Sequence, residues 1–278
     1  MKLYHYTTFE TFVYRILPKM QLKFFPFSSS NDPFEFSRLF RTYISKFSLH
    51  HHNEIVEEYN RQLNKYKFIC FSKDKGDIQG FKLPTMWAHY GEKHNGVCLE
   101  IDIDKLDFSI FNESIIKASV IYDVPDPKDL VLFGSPKQSE NAQEFIRRSI
   151  SEHIKDWEST NLFTKLNDWE IENEYRIVYT NDDNDEHYLD INNALTNVYL
   201  GIRASQNWLE SVKLRILEHQ IDETNKMIGR EIQIKFLENE GSLINSYELK
   251  LRRTIYENNS ESSKKMELRT QGNSFTPS

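Results

Sequence analysis

The chain has 278 residues, of which 38% are hydrophobic and 13% aromatic, and its formal net charge is −7. That length suits one large domain or two small ones, and the apolar material, rich in Phe and Tyr, is enough for a sizeable core. The acidic balance and the lack of a long basic run argue against nucleic-acid binding as a global property, while a local basic groove stays open. No apolar run is long enough to span a bilayer, and the first residues have the pattern of a strand and not of a signal peptide. A soluble, cytoplasmic protein with no membrane partner is expected.

In chain order, Leu3 to Tyr6 alternates as a short strand. Thr7 to Leu17 has helical spacing of Phe9, Phe12, Val13, Ile16 and Leu17, with Thr7 and Glu10 as a capping box and Pro18 as the stop. Leu22 to Phe25 is a second strand, and Pro26 to Pro33 a polar loop. Asn53 to Lys65 is a helix with Ile55, Val56 and Tyr59 on one side, followed by a strand over Tyr66 to Ser72 and a charged loop over Lys73 to Pro84. Val97 to Ile103 and Ile115 to Tyr122 have the pattern of a strand pair. Pro125 to Ser139 is a loop and Ala142 to Trp157 an amphipathic helix. Strands are predicted over Glu174 to Thr180, Val198 to Ile202, Glu231 to Leu237 and Tyr247 to Tyr256, with a helix over Trp208 to Ile228. From Glu257 the composition turns to Ser, Asn, Lys, Glu and Gln, the signature of a disordered tail. There is no regular βαβ alternation, so the expected fold class is α+β. It is expected as a single domain over residues 1–256, with a mixed or antiparallel β core flanked by helices.

Four clusters carry residue types suited to chemistry. Tyr4-His5-Tyr6-Thr7 puts an imidazole at a strand-to-helix turn, beside a helix N-terminus whose free amides attract anions. A phosphate-bearing ligand and a purely structural histidine both fit there. Asn31-Asp32-Pro33-Phe34-Glu35 fits a turn with a helix cap, and equally a set of polar groups sharing a pocket with His5. Trp87 and Tyr90 share a helix face, suited to core packing or to a ligand platform. His89 and His94 are too irregularly placed for metal ligands, and the run His50-His51-His52, in a polar connection, fits either weak metal binding or plain exposure. In the fourth cluster, strand alternation puts Tyr175, Ile177 and Tyr179 on the core face and Glu172, Glu174 and Arg176 on the other. Those three charges either pair as solvated cross-strand partners or line a cleft. The two cysteines, Cys70 and Cys98, lie in apolar strand contexts without CxxC spacing and are expected to be reduced and structural.

Taken in order, Tyr4-His5-Tyr6-Thr7, Asn31 to Glu35, Trp87-Ala88-His89-Tyr90, His94 to Cys98 and Glu172 to Arg176 resemble the bacterial domain of unknown function 2971 family over residues 1–205. A strand-borne Tyr-His-Tyr-Thr before a helix is also similar to the opening motif of ADP-ribosyltransferase-like proteins. That second resemblance implies an NAD-binding site with His5 on the ribose and Glu174 as the catalytic acid, Glu172 being the first acid of a Glu-x-Glu pair. Tyr4, Tyr6, Thr7, Asn31, Asp32, Trp87, Tyr90 and Arg176 would line it. NAD would then be the substrate of a transferase or glycohydrolase, a toxin or phage-defence effector, with its acceptor unnamed. The other class that fits is a non-catalytic module that binds a nucleotide-like small molecule or a partner. A Mg²⁺ nuclease built on Asp32, Glu35 and Glu174 is a third, without a metal-spaced motif.

Overall fold

β-Branched and aromatic residues are frequent in segments that become strands, as in Glu174–Thr180 (EYRIVYT), and the longer helices form where apolar residues recur at i, i+3 and i+4. The computed structural model describes residues 1–30, 32, 50–111, 114–123, 137, 139–183, 185–204, 232–240 and 243–251. In chain order, the described elements are β1 (Lys2–Thr7), α1 (an α-turn over Phe9–Thr11 continuing as π-helix over Phe12–Ile16), β2 (Gln21–Lys23), β3 (Phe25–Pro26), α2 (His52–Leu63), β4 (Tyr66–Lys73), α3 (Pro84–His89), β5 (Val97–Asp102), β6 (Ile115–Ser119), β7 (Ile121–Tyr122), α4 (Ala142–Asn161), β8 (Thr164–Lys165), β9 (Glu174–Thr180), β10 (Tyr188–Asp190), β11 (Leu195–Leu200), β12 (Ile232–Glu240) and β13 (Leu243–Leu251). The fold class is α+β, with mostly antiparallel strands. Among the described residues no helix is long and apolar enough to cross a membrane.

Two compact units result. The first comprises Met1–Leu22, Phe71–Asp107 and Asp190–Ser278, the second Lys23–Cys70 and Phe108–Leu189. In the first, the strand order is β13-β12-β11-β5-β1, with the Phe71–Lys73 end of β4 beside β1. β5 pairs antiparallel with β1, from Lys2↔Asp102 to Thr7↔Val97, and on its other side with β11. The β11–β12 pair is parallel, and β12–β13 is antiparallel. Tyr4, Tyr6, Phe81, Leu83, Met86, Trp87, Cys98 and Tyr199 form one packed cluster. Within it Phe81 stacks on Tyr199 at 3.9 Å between centroids, and Tyr6 meets Trp87 edge-on at 5.1 Å. Glycine is required at Gly80, where a Cβ would lie 2.2 Å from the Tyr4 ring.

In the second unit β3 pairs with β4, β4 neighbours β9, and β9 pairs antiparallel with β6. Apolar faces of α2 (Ile55, Tyr59, Leu63) and α4 (Ile146, Ile150, Ile154) share one core with Phe27, Tyr66, Phe68, Leu162 and Val178. α4 starts at a capping box: the Glu144 N–H donates to Asn141 Oδ1 at 2.9 Å, and the Asn141 N–H donates to Glu144 Oε2 at 3.0 Å. Lys67 is buried and its ammonium donates to the carbonyls of Asp183 and Asp185 and to Asp183 Oδ1, at 3.0, 3.2 and 3.1 Å. It closes an acidic turn that would otherwise repel itself.

Several expectations change. Val97–Asp102 and Ile115–Ser119 are both strands, but not partners of each other: β5 lies between β1 and β11, and β6 lies on β9. Nearness in sequence suggested the pairing, but 3-10 turns over Ile103–Lys105 and Ser109–Phe111 lie between them. The first helix is capped by Thr8, whose Oγ1 accepts from the Thr11 N–H, because Thr7 is still in the strand. In β9 the Glu174–Arg176–Val178 face is buried; on the expected core face Ile177 is fully buried, while Tyr175 and Tyr179 are only partly so. The face read as either solvated or lining a cleft is therefore an interior one. The predicted helix over Trp208 to Ile228 and the polar tail lie outside the described residues.

The capping box sets a first measurement. Asn141→Ala removes one acceptor for the first turn of α4, and chemical denaturation is expected to show a loss of about 1 kcal/mol.

Candidate functional site

β1 divides its own motif between two faces. Strand alternation sends Tyr4 and Tyr6 one way and His5 and Thr7 the other. Tyr4 and Tyr6 enter the aromatic cluster with Trp87, and partly buried Tyr90 packs against it. The polar ends of these rings are already bonded. Tyr6 donates its hydroxyl to the Gly80 carbonyl at 2.5 Å, Trp87 donates Nε1–H to the Phe81 carbonyl at 2.7 Å, and the Tyr4 hydroxyl is bonded to Asp74. Burial raises the Tyr4 and Tyr6 phenols well above their ordinary range. His5 is half-buried and sits edge-on to Phe71 at 5.7 Å. The structure thus brings Tyr4, Tyr6, Trp87 and Tyr90 together and leaves His5 on the opposite face of the strand.

The helix N-terminus beside this motif is occupied by the protein itself. Glu92 Oε2 accepts the Phe9 N–H at 3.1 Å. Glu92 belongs to a turn in which three consecutive side-chain-bearing residues have positive φ: Glu92 at 52°, Lys93 at 53° and His94 at 72°. Such conformations cost about 1–2 kcal/mol per residue. Backbone bonds hold the turn: Gly96 N–H to Gly91 O at 2.8 Å, Gly201 N–H to Gly96 O at 3.0 Å, and Arg203 N–H to His94 O at 3.0 Å. Burial and the nearby Arg203 lower the His94 imidazole.

Glu100 escaped the sequence reading. It is the acid set between apolar residues in the strand Val97-Cys98-Leu99-Glu100-Ile101-Asp102, and that placement was the available signal. Its buried carboxylate accepts from Tyr199 Oη at 2.7 Å and from Thr196 Oγ1 at 2.8 Å, with Lys2 Nζ 3.5 Å away. Burial pushes its pKa up, but those hydroxyls, Asn197 and Lys2 together bring it below the usual carboxylate range.

The second unit holds the acidic pair. A 3-10 turn over Asn167–Glu172 ends at Asn173 in the left-handed region, φ 45°, and this sharp corner turns Glu172 and Glu174 toward Lys165. Lys165 Nζ reaches Glu172 Oε2 at 2.6 Å and Glu174 Oε2 at 3.4 Å. Arg176 grips Glu174 with two bonds, Nε to Oε1 at 2.7 Å and Nη2 to Oε2 at 3.2 Å, and donates Nη1–H to the Leu162 carbonyl at 3.1 Å. Lys165, Glu172, Glu174 and Arg176 are each 4% exposed or less. The Glu174 N–H donates to Tyr122 Oη at 2.7 Å. Burial pushes the Glu174 carboxyl up, but Arg176 and Lys165 outweigh it and hold it at about 2. The reading of these charges as a solvated row is thereby corrected: two acids and two bases form an interior network.

Both cysteines are free, Cys98 buried and Cys70 partly so. Burial, and for Cys70 also the adjacent Glu174, raises both thiols. Buried Asp32 bonds through its N–H to Ser30 Oγ at 3.4 Å. Asn31 and Glu35 lie outside the described residues. His51 pairs with Glu54 at 2.9 Å, and no group of three His, Cys, Asp or Glu able to hold a metal occurs among the described residues.

Residues 86–177 match the family described as Protein of unknown function (DUF2971). The matched segment contains Trp87, Tyr90, Glu100, Glu172, Glu174 and Arg176, and it excludes the Tyr4–Thr7 motif. No curated protein and no solved structure matches the chain.

Glu174→Gln tests the network. Its neutral amide leaves Arg176 and Lys165 undercompensated, so urea unfolding at pH 7 is expected to show a loss of roughly 3–5 kcal/mol, against less than about 1 kcal/mol for an exposed pair. The pH dependence has a definite sign. A carboxyl near 2 in the folded state and about 4.3 when unfolded stabilises fully above the unfolded value and stops doing so as pH falls toward the folded one. Wild type should lose stability more steeply than the variant between about pH 4.5 and 2.

Proposed function

We propose that this protein is a non-catalytic binding module for a nucleotide-like ligand or a partner, and that Glu174 serves its architecture. One observation carries the reading: both Glu174 carboxylate oxygens are engaged by Arg176 and Lys165 inside the second unit. A carboxylate that stabilises an oxocarbenium-like centre must face that centre with unspent charge. Here the guanidinium and ammonium already balance it. The α1 terminus, where a phosphate would be drawn, likewise carries the Glu92 carboxylate, and the Trp87 N–H is used within its own loop.

The second reading is an NAD-consuming, ADP-ribosyltransferase-like enzyme, a toxin or phage-defence effector. Its support is the Glu172-Asn173-Glu174 sequence with Glu174 ionised at physiological pH, the protonation state such chemistry uses. It requires Arg176 to release Glu174 when NAD binds.

One experiment separates the two. The full chain is incubated with NAD, with and without cell lysate, and released nicotinamide is measured beside a thermal-shift titration with NAD and ADP-ribose. The module reading expects no nicotinamide above the blank, and a ligand-induced rise in Tm that folded Glu174→Gln retains relative to its own unliganded Tm. Nicotinamide release by wild type that falls a hundredfold or more in the folded variant overturns it in favour of the enzyme.

A further inference from the structure

We propose that Gly91–Gly96 is a strained strap, held closed on the N-terminus of α1 by the Glu92 carboxylate and poised to open. Three observations within the first unit lead there. The turn places its two glycines where space is short and not where φ is positive. A Cβ on Gly91 would lie 2.6 Å from the Trp87 ring, and one on Gly96 would lie 2.3 Å from the Thr7 carbonyl. Between them Glu92, Lys93 and His94 adopt the left-handed conformation with their side chains in place, which L-residues avoid because Cβ crowds the following carbonyl. The strap is therefore under steric load along its middle and pinned at its ends.

The pins differ in kind. The Gly96 and His94 carbonyls are fixed by backbone bonds from Gly201 and Arg203. The Glu92 end is fixed to α1 by one exposed carboxylate–amide bond, to the Phe9 N–H. Strained backbone persists where the surroundings over-determine it, and here the weakest member of that set is the solvent-exposed one. Releasing Glu92 lets Glu92 and Lys93 relax toward right-handed or extended conformations, while His94 stays held by the Arg203 N–H, and it frees the Phe9 amide of the Glu92 carboxylate. The closed strap is an internal contact in which the protein's own anion holds the helix terminus. This inference does not depend on the binding-module reading.

Amide hydrogen exchange on the full-length protein tests it. Glu92→Ala should speed exchange at the Phe9 amide at least tenfold while the Leu99 and Ile101 amides in β5 keep their wild-type rates. Two changes at Lys93 bias the strap in opposite directions. Glycine accepts positive φ without crowding and should close it, and valine, β-branched, should open it. The expected order of Phe9 exchange is Lys93→Gly slower than wild type and Lys93→Val faster. Rates within twofold of wild type in Glu92→Ala, or the reverse order in the two Lys93 variants, overturn the proposal.

Discussion

A charge taken out of water must take its counter-charge and hydrogen-bond partners with it, at a penalty of several kcal/mol per ion if it does not. That constraint organises the interior of both units. In the second, Arg176 lies within 5.8 Å of the Phe27 and Phe68 ring centroids, so its guanidinium is set in the aromatic core. Glu174 and the Leu162 carbonyl help make that burial tolerable. Lys165 in turn links Glu174 to Glu172 and leaves the quartet neutral. The corner at Asn173, the register of β9 and the position of β8 are thus tied to one electrostatic requirement. In the first unit Glu100 meets the same requirement with two hydroxyls, Asn197 and a lysine ammonium 3.5 Å away.

This requirement also decides how residue types map to function. Acids next to bases, a histidine at a turn and a free helix end are the raw material of active sites when their bonding capacity is unspent. In this chain much of that capacity is spent internally: Glu174 on Arg176, the Phe9 amide on Glu92, the Trp87 N–H on a carbonyl six residues back. A perturbed carboxyl is compatible with catalysis and with an ordinary interior ion pair, so the low pKa of Glu174 does not discriminate. What supports the architectural reading is that both its oxygens are engaged by Arg176 and Lys165.

Much of the fold was legible in the sequence because its signals are local. Glu174–Thr180 and Tyr66–Lys73 alternate or run apolar at strand length, and the amphipathic spacing over Ala142 to Trp157 announced α4. Pairing was not legible. Nothing in Val97–Asp102 reveals that β1 and β11 flank it, since both partners come from distant parts of the chain. The site was half legible. The clusters at Tyr4–Thr7, Trp87–Tyr90 and Glu172–Arg176 stand out by residue type, but alternation alone could not say that the charged face of β9 is interior as well as the Ile177 face. Lys165, the residue that closes the network, sits nine positions before Glu174 on a two-residue strand, beyond the reach of any period-2 argument.

Glu92 marks the limit of reading residues by type. In the sequence it is an ordinary acid in a charged stretch, Gly91-Glu92-Lys93-His94-Asn95-Gly96. Its role comes from two glycines whose spacing is set by other parts of the fold. Gly91 must pass the face of Trp87, and Gly96 must pass the Thr7 carbonyl at the end of β1. With both ends so placed, four residues must cover the gap, and a left-handed turn is the conformation found there. The same turn carries a carboxylate to the first amide of α1, where the helix dipole favours negative charge. Backbone strain and electrostatic gain therefore act on one short segment in opposite senses, and their balance depends on a bond that water can reach.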